Sequence, residues 1–140
     1  MHTTFAPSYN TTQPTLSAPL QGVALVLHGL NMNPARLLPL IEELRQRGIA
    51  VVLCTLRGHG DNYTPRADCS SEIARLAAFR QVSYQTWCAE VTAAYEQAVA
   101  YAQPTGAPLF LVAYSLGALL GCDRLVTAPP FVFARMVLLA

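Results

Sequence analysis

Long apolar runs recur along this sequence, and helical spacing fills most of the segments between them. The runs are rich in Val and Leu and have no polar side. A strand that is covered on both faces of a sheet needs such continuous hydrophobicity, so the runs indicate buried strands of a parallel sheet. We predict four of them: Gly22–His28, Ile49–Thr55, Pro108–Tyr114 and Arg135–Ala140.

The segments between the runs carry helix signals. Asn33 and Pro34 form an N-cap followed by proline at the first helical position, and Gly48 would end that helix. Pro39 lacks an N–H donor, so we expect the helix to kink or to begin there. Three further helices are expected: one capped by Ser70 or Ser71 and ending near Phe79, one ended by Pro104 and Gly106, and one from Ser115 to about Thr127. The long middle helix should bury a face made of Tyr84, Trp87, Cys88, Val91, Tyr95, Ala98 and Val99.

Strands that alternate with helices through short connections are typical of βαβ units. Right-handed crossovers then place helices on both faces of one parallel sheet. We therefore assign residues 21–140 to an α/β fold with about four strands. Residues 1–20 are rich in Thr, Pro, Ser and Asn without an apolar period, and we interpret them as an extended or poorly ordered lead-in.

Composition narrows the possible partners. Hydrophobic residues make up 53% of the 140 positions and charged residues only 12%, with a net charge of +1. The sequence has no basic or acidic runs, so we expect neither nucleic acid nor an anionic membrane surface as a partner. No apolar run approaches the ~18 residues that span a bilayer, and the N-terminus lacks the features of a signal peptide, so we expect a cytoplasmic protein.

The four cysteines are predicted to be free thiols. The spacing of Cys54, Cys69, Cys88 and Cys122 matches no metal motif and contains no C-x-x-C. Cys54 falls in a predicted strand and Cys122 in a predicted helix, so we expect both to be small core residues.

Ser115 stands where the third apolar run turns directly into a helix. Ala113 and Gly117 lie two positions before and after it. In a nucleophile elbow the strand and helix backbones pass so closely that only small residues fit at those two places, and the serine hydroxyl projects clear of the sheet. The pattern favours an elbow over the alternative, an ordinary turn in which Ser115 caps the helix.

A second element follows the first apolar run. A tetrahedral intermediate requires two backbone N–H donors aimed at its oxyanion. One would come from Leu116, directly after the serine, and the other from the His28-Gly29 turn, with Leu30 as first choice and Asn31 as second. The alternative is that His28-Gly29 is merely a tight exit turn.

These motifs together resemble the α/β-hydrolase superfamily, nearest the lipase, esterase and lysophospholipase-like serine hydrolases. The usual nucleophile motif of that family is G-x-S-x-G, and Ala113 replaces its first glycine here. The resemblance covers about residues 22–140 and rests on Leu25–Asn31 (LVLHGLN), Thr55–Asn62 (TLRGHGDN), Trp87–Val91 (WCAEV) and Leu111–Gly121 (LVAYSLGALLG).

The resemblance implies ester hydrolysis through an acyl-enzyme on Ser115, with a small-molecule ester as substrate and no metal or cofactor. The family places the acid and then the histidine after the serine. No histidine follows Ser115 in this sequence, and Asp123 lies in the helix after the turn rather than beyond a later strand. We therefore expect the 140 residues to be the N-terminal half of such a domain, inactive alone.

None of the three histidines is a ready substitute for the missing base. His2 lies in the lead-in and His28 in the turn that the family uses structurally. His59 follows the second strand and could approach Ser115 in space, although the family places its base elsewhere.

Two other interpretations stay open. The chain could be a non-catalytic interaction module of α/β-hydrolase ancestry, or an unrelated doubly wound binding domain, although no glycine-rich phosphate loop follows any strand. Under the half-domain interpretation, the last strand would leave a flat sheet edge uncovered. We therefore expect self-association when the chain is expressed alone.

Overall fold

The computed structural model describes residues 9–12, 19–127 and 129–140. Within these ranges five strands form one sheet, in the order β1-β3-β2-β4-β5. Strands β2 to β5 run parallel to one another, and β1 lies antiparallel to β3. The strands are β1 (Tyr9–Thr12), β2 (Gly22–Leu27), β3 (Ile49–Cys54), β4 (Leu109–Tyr114) and β5 (Arg135–Leu139).

The parallel sheet and its four predicted strands are confirmed. Strand β1 is an addition, because its sequence YNTT carries no apolar pattern and its pairing is backbone to backbone, with Tyr9 opposite Cys54. The rest of the predicted lead-in, residues 1–8 and 13–18, lies outside the described residues.

In the part of the chain that the structure describes, four α-helices connect the strands: α1 (Leu38–Gln46), α2 (Ser71–Gln81), α3 (Tyr84–Ala102) and α4 (Leu116–Val126). The expectation for Pro39 is confirmed, because α1 begins one residue before it and a first-turn proline loses no helical hydrogen bond. Asn33 caps a separate 3-10 turn, Pro34–Leu37, by accepting the Ala35 N–H at 3.0 Å. A second 3-10 turn, Gln103–Thr105, follows α3.

Apolar side chains cover both faces of the sheet, as the continuous strand pattern requires. On one face α3 and α4 pack over the odd-numbered residues of β2, such as Leu25 and Leu27. On the other face α1 covers the even-numbered ones, with Ile41 packed beside Val26 and Val51. Strand β2 is therefore buried along its whole length, and β3 is buried except at Ile49.

Three side chains that were predicted to be buried are exposed. Tyr84 and Val99 are 37% and 38% accessible, because the buried stripe of α3 runs along a slightly rotated face. Cys122 is exposed because α4 turns its glycines and Leu120 toward the sheet. The buried positions of α3 are Cys88, Val91, Ala94, Ala98 and Ala102.

Strand β5 pairs with β4 on one side only, so it is an edge of the described sheet. Its apolar side chains are unusually open for a parallel strand, with Val137 at 50% and Leu138 at 43% accessible. Strand β5 therefore contrasts with β2, whose residues are all buried.

Candidate active site

Ser115 occupies a sharp turn between β4 and α4. Its backbone has φ 50° and ψ −115°, and no other non-glycine residue of the described chain has a positive φ. Such a conformation costs of order 1–3 kcal/mol and persists only where the surroundings impose it. The Ser115 side chain makes no capping hydrogen bond, so the alternative of a side-chain N-cap is wrong.

Close packing against the end of β2 imposes this turn. A Cβ atom at Gly117 would lie 2.7 Å from the Leu27 carbonyl oxygen and 2.8 Å from that of His28. A Cβ atom at Gly29 would lie 3.2 Å from the Ser115 Cβ. The backbone is held further by β5, because the Ser115 N–H donates to the Leu139 carbonyl at 2.7 Å.

Ser115, Leu116 and Leu30 line one cavity of about 450 Å³. Leu116 is the first residue of α4, whose leading N–H groups have no acceptor within the helix. Neither the Leu116 N–H nor the Leu30 N–H donates to any group in the described part of the chain. The cavity therefore combines a hydroxyl, two unused N–H donors and the positive end of a helix dipole. Its other lining residues are Ala118, Leu119, Leu138, Leu139 and Ala140.

Asn31, the second-choice donor, does not line this cavity. It borders a neighbouring cavity of about 490 Å³ between the loop after β2, the loop after β3 and one side of α2. Leu30 lines both cavities and separates Asn31 from Ser115.

His28 is a buried structural residue. Its Nε2 accepts the Leu56 N–H at 3.0 Å, and its Nδ1 lies 2.9 Å from the Gly29 carbonyl oxygen. Because an N–H and a carbonyl fix the two ring nitrogens as acceptor and donor, the ring is neutral with its proton on Nδ1. Burial lowers the pKa of His28 to about 4, which agrees with that neutral form.

His59 is also buried, at 7% accessibility, and does not line the Ser115 cavity. Its Nε2 donates to the Leu30 carbonyl, and its ring packs beside His28, Phe79 and Trp87. The structure therefore does not bring this histidine to the serine as a base.

Helix α3 anchors the loop that carries His59, a role that the sequence analysis missed. Glu90 accepts the Arg57 N–H at 2.8 Å with one oxygen and the Asn62 side-chain amide at 3.0 Å with the other. Trp87 donates its indole N–H to the Arg57 carbonyl at 3.0 Å. Burial raises the pKa of Glu90 despite these two donors. The only sequence signal for this role was a tryptophan and a glutamate at i and i+3, Trp87 and Glu90.

Asp123 lies away from the serine cavity. Its carboxylate forms an ion pair with Arg124 and faces the Cys88 thiol at 3.7 Å, and all three residues line a different cavity. It is therefore not placed to act as the acid of a triad. His2 falls among residues that the structure does not describe.

The family of the chain is decided by a match over residues 18–140 to the family model of the serine aminopeptidases, S33. The chain belongs to this α/β-hydrolase family. No curated protein matches the sequence.

Solved structures share the fold of this S33-family chain at low sequence identity. A soluble variant of monoglyceride lipase from Saccharomyces cerevisiae is 16% identical, with a TM-score of 0.64 over 83% of this chain and 34% of its own. A carboxyl esterase from Bacillus coagulans is 16% identical, with a TM-score of 0.65 over 96% and 44%. An epoxide hydrolase from Vigna radiata is 20% identical, with a TM-score of 0.61 over 96% and 40%.

The S33-family chain spans less than half the length of each of these three proteins. None of the helices in residues 9–12, 19–127 and 129–140 has both the length and the hydrophobicity that a membrane span requires. The same residues include no group of three or more His, Cys, Asp or Glu side chains arranged to hold a metal ion.

Proposed function

We propose that this chain provides the nucleophile and the oxyanion hole of a serine hydrolase that cleaves carboxylic esters. One observation carries the proposal: Ser115 has a strained positive φ at a strand-to-helix turn, beside two unused N–H donors in one cavity. This geometry supports a nucleophile elbow at Ser115. The names of two similar structures, a lipase and an esterase, agree with this class.

In the proposed reaction the Ser115 hydroxyl attacks the ester carbonyl and loses its proton to a general base. The Leu116 and Leu30 N–H groups donate to the oxyanion, which then collapses to an acyl-enzyme as the bond to the alcohol oxygen breaks and the protonated base gives its proton to that oxygen. Water then loses a proton to the base as it attacks the acyl-enzyme, and the second oxyanion collapses to release the acid and the reprotonated Ser115 hydroxyl. No step uses a metal or cofactor.

We propose that the base and its acid partner come from residues outside these 140, so the chain alone is inactive. His28 and His59 both have ring nitrogens engaged in loop contacts, and Asp123 faces another cavity. A serine without a base is a weak nucleophile. The apolar lining of the cavity, which includes Leu119 and Leu138, fits a small ester with an apolar acyl group. A cytoplasmic location stays a prediction.

The proposal is tested on the product of the source reading frame, read past the codon for Ala140. We expect that product to hydrolyse p-nitrophenyl butyrate and to be labelled by a fluorophosphonate on the peptide that contains Ser115. Ser115→Ala should abolish both, whereas Ser71→Ala, a change at an exposed serine of α2, should leave both intact. A stop directly after Ala140, or labelling at another residue, would overturn the proposal.

A second candidate function rests on β5, the exposed edge strand of the described sheet. An exposed apolar edge strand invites pairing with another chain. Under this alternative the chain is a non-catalytic interaction module, and the open residues Met136, Val137 and Leu138 form its contact surface. In the reading-frame product, a concentration-dependent mass in light scattering that Val137→Lys abolishes, together with an unreactive Ser115, would favour this function over hydrolysis.

A further inference from the structure

Two histidines connect the loops after β2 and β3 in opposite directions. His28, on the first loop, accepts a hydrogen bond from the Leu56 N–H of the second loop. His59, on the second loop, donates to the Leu30 carbonyl of the first. The two rings lie 4.7 Å apart. Each loop is therefore held by a side chain from the other.

We propose that His59 is a positioning residue for the oxyanion hole, an inference that rests on the proposed function of Leu30. The Leu30 carbonyl belongs to the same residue as the N–H that would bind the oxyanion, on the other side of its Cα. A carbonyl that turned into the Ser115 cavity would present lone pairs to the negative charge and oppose its formation. His59, which lines the other cavity, holds this carbonyl away from that charge.

His59 can perform this role because its own position is fixed. Its loop contains Gly58, whose φ is +85° and where an added Cβ would lie 2.6 Å from the Phe79 Cα. The Asn62 side chain closes the loop by donating to the Thr55 carbonyl at 2.7 Å. The ring itself is buried against Phe79 and Trp87, so it has little freedom to leave the carbonyl.

Only the donor at Nε2 is needed for this role. The Nδ1 atom has no hydrogen-bond partner among the described residues. A glutamine side-chain amide reaches about as far as Nε2 and also donates, whereas phenylalanine keeps a ring of similar size and donates nothing. The pair His59→Gln and His59→Phe therefore separates the hydrogen bond from the packing.

The test measures steady-state hydrolysis of p-nitrophenyl butyrate by the reading-frame product. We expect His59→Phe to lower kcat by roughly 10- to 100-fold with KM unchanged within about twofold, since the lost alignment acts on the transition state. His59→Gln should recover most of kcat. Equal kcat in His59→Phe and the parent, a loss confined to KM, or equal loss in both variants would overturn the proposal.

Amide hydrogen exchange provides a readout that does not depend on turnover. The Met32 amide, which closes the turn around Leu30 by donating to the Gly29 carbonyl, should exchange faster in His59→Phe than in the parent or in His59→Gln. If exchange follows this order but Ser115 is never acylated, the positioning contact holds and the proposed hydrolysis fails. If exchange is the same in all three proteins, the positioning role itself is wrong.

Discussion

The two halves of the candidate site lie at the same edge of the sheet but are held in different ways. In the histidine-tied region, residues 28–31 and 56–62, buried side chains exchange hydrogen bonds across two loops. In the Ser115 turn, residues 113–117, the shape comes from backbone packing, and the serine hydroxyl makes no hydrogen bond with any described group. Hydrogen bonds therefore fix the two loops beside the site, whereas the Ser115 hydroxyl, the group proposed to react, has no hydrogen-bond partner among the described residues.

Gly117→Ala would break the Ser115 turn and should have the largest effect. Alanine normally favours a helix over glycine by ~1 kcal/mol. At this position its methyl group would lie 2.7 Å from a carbonyl oxygen of β2, where nothing flexible can move aside. We therefore expect a loss of about 3 kcal/mol or more in the free energy of unfolding, measured by denaturant titration with Trp87 fluorescence.

Gly106→Ala is the matched control. Gly106 has φ +65°, and a Cβ atom there would meet nothing within 4 Å. Its cost should be only the left-handed conformation, about 1 kcal/mol. Equal losses at Gly117 and Gly106 would mean that packing does not shape the Ser115 turn.

Acid should weaken the histidine-tied region through His28. The folded pKa is about 4 against an ordinary value of 6.5, so between these pH values the unfolded chain binds a proton that the folded chain does not. Stability should therefore fall as pH decreases from about 6.5 to about 4 and then level off in this contribution. The loss of unfolding free energy through His28 should total roughly 3 kcal/mol, because each unit of its lowered pKa corresponds to about 1.4 kcal/mol.

His28→Gln isolates this contribution, because other groups also titrate in the same range. The variant should be less stable than the parent at pH 7, and the difference should shrink as the pH falls toward 4. A difference that is constant with pH would show that His28 keeps its ordinary pKa in the folded chain.

The fold could be predicted from the sequence because its strands are buried on both faces and are therefore continuously apolar. Strand β1 could not, because polar residues such as Thr11 pair there through backbone atoms alone. The exposed positions of Tyr84 and Val99 were missed for a related reason: a helical face has soft borders, and small changes of rotation decide which residues are buried.

The candidate site was predictable where its chemistry requires a local motif. Ser115, Leu116 and Gly117 are adjacent in sequence, so the turn and its small residues can be read together. The cross-loop contacts are not local. The bond from His59 to Leu30 spans 29 positions and that from Glu90 to Arg57 spans 33, so only the folded chain brings these partners together.

Glu90→Gln should weaken the histidine-tied region through its contact with α3. Both Glu90 oxygens accept hydrogen bonds from donors, the Arg57 N–H and the Asn62 amide. Glutamine offers one oxygen and turns an NH₂ group toward the other donor, which should cost about 2 kcal/mol. Denaturant titration should show that loss, whereas Glu96→Gln, at an exposed position of the same helix, should change stability by less than ~0.5 kcal/mol. Equal behaviour of the two variants would contradict the anchoring role of α3.

Of these variants, Ser115→Gly should change the free energy of unfolding least, and it should raise that free energy rather than lower it. Glycine adopts φ 50° and ψ −115° without strain, whereas serine and alanine do not. The relief of strain is partly offset by the greater freedom of glycine in the unfolded chain. We therefore expect Ser115→Gly to be about 1 kcal/mol more stable than Ser115→Ala, with both variants lacking ester hydrolysis. If the alanine variant is as stable as the glycine variant, the turn is relaxed, and strain would no longer distinguish Ser115 from the histidine-tied region beside it.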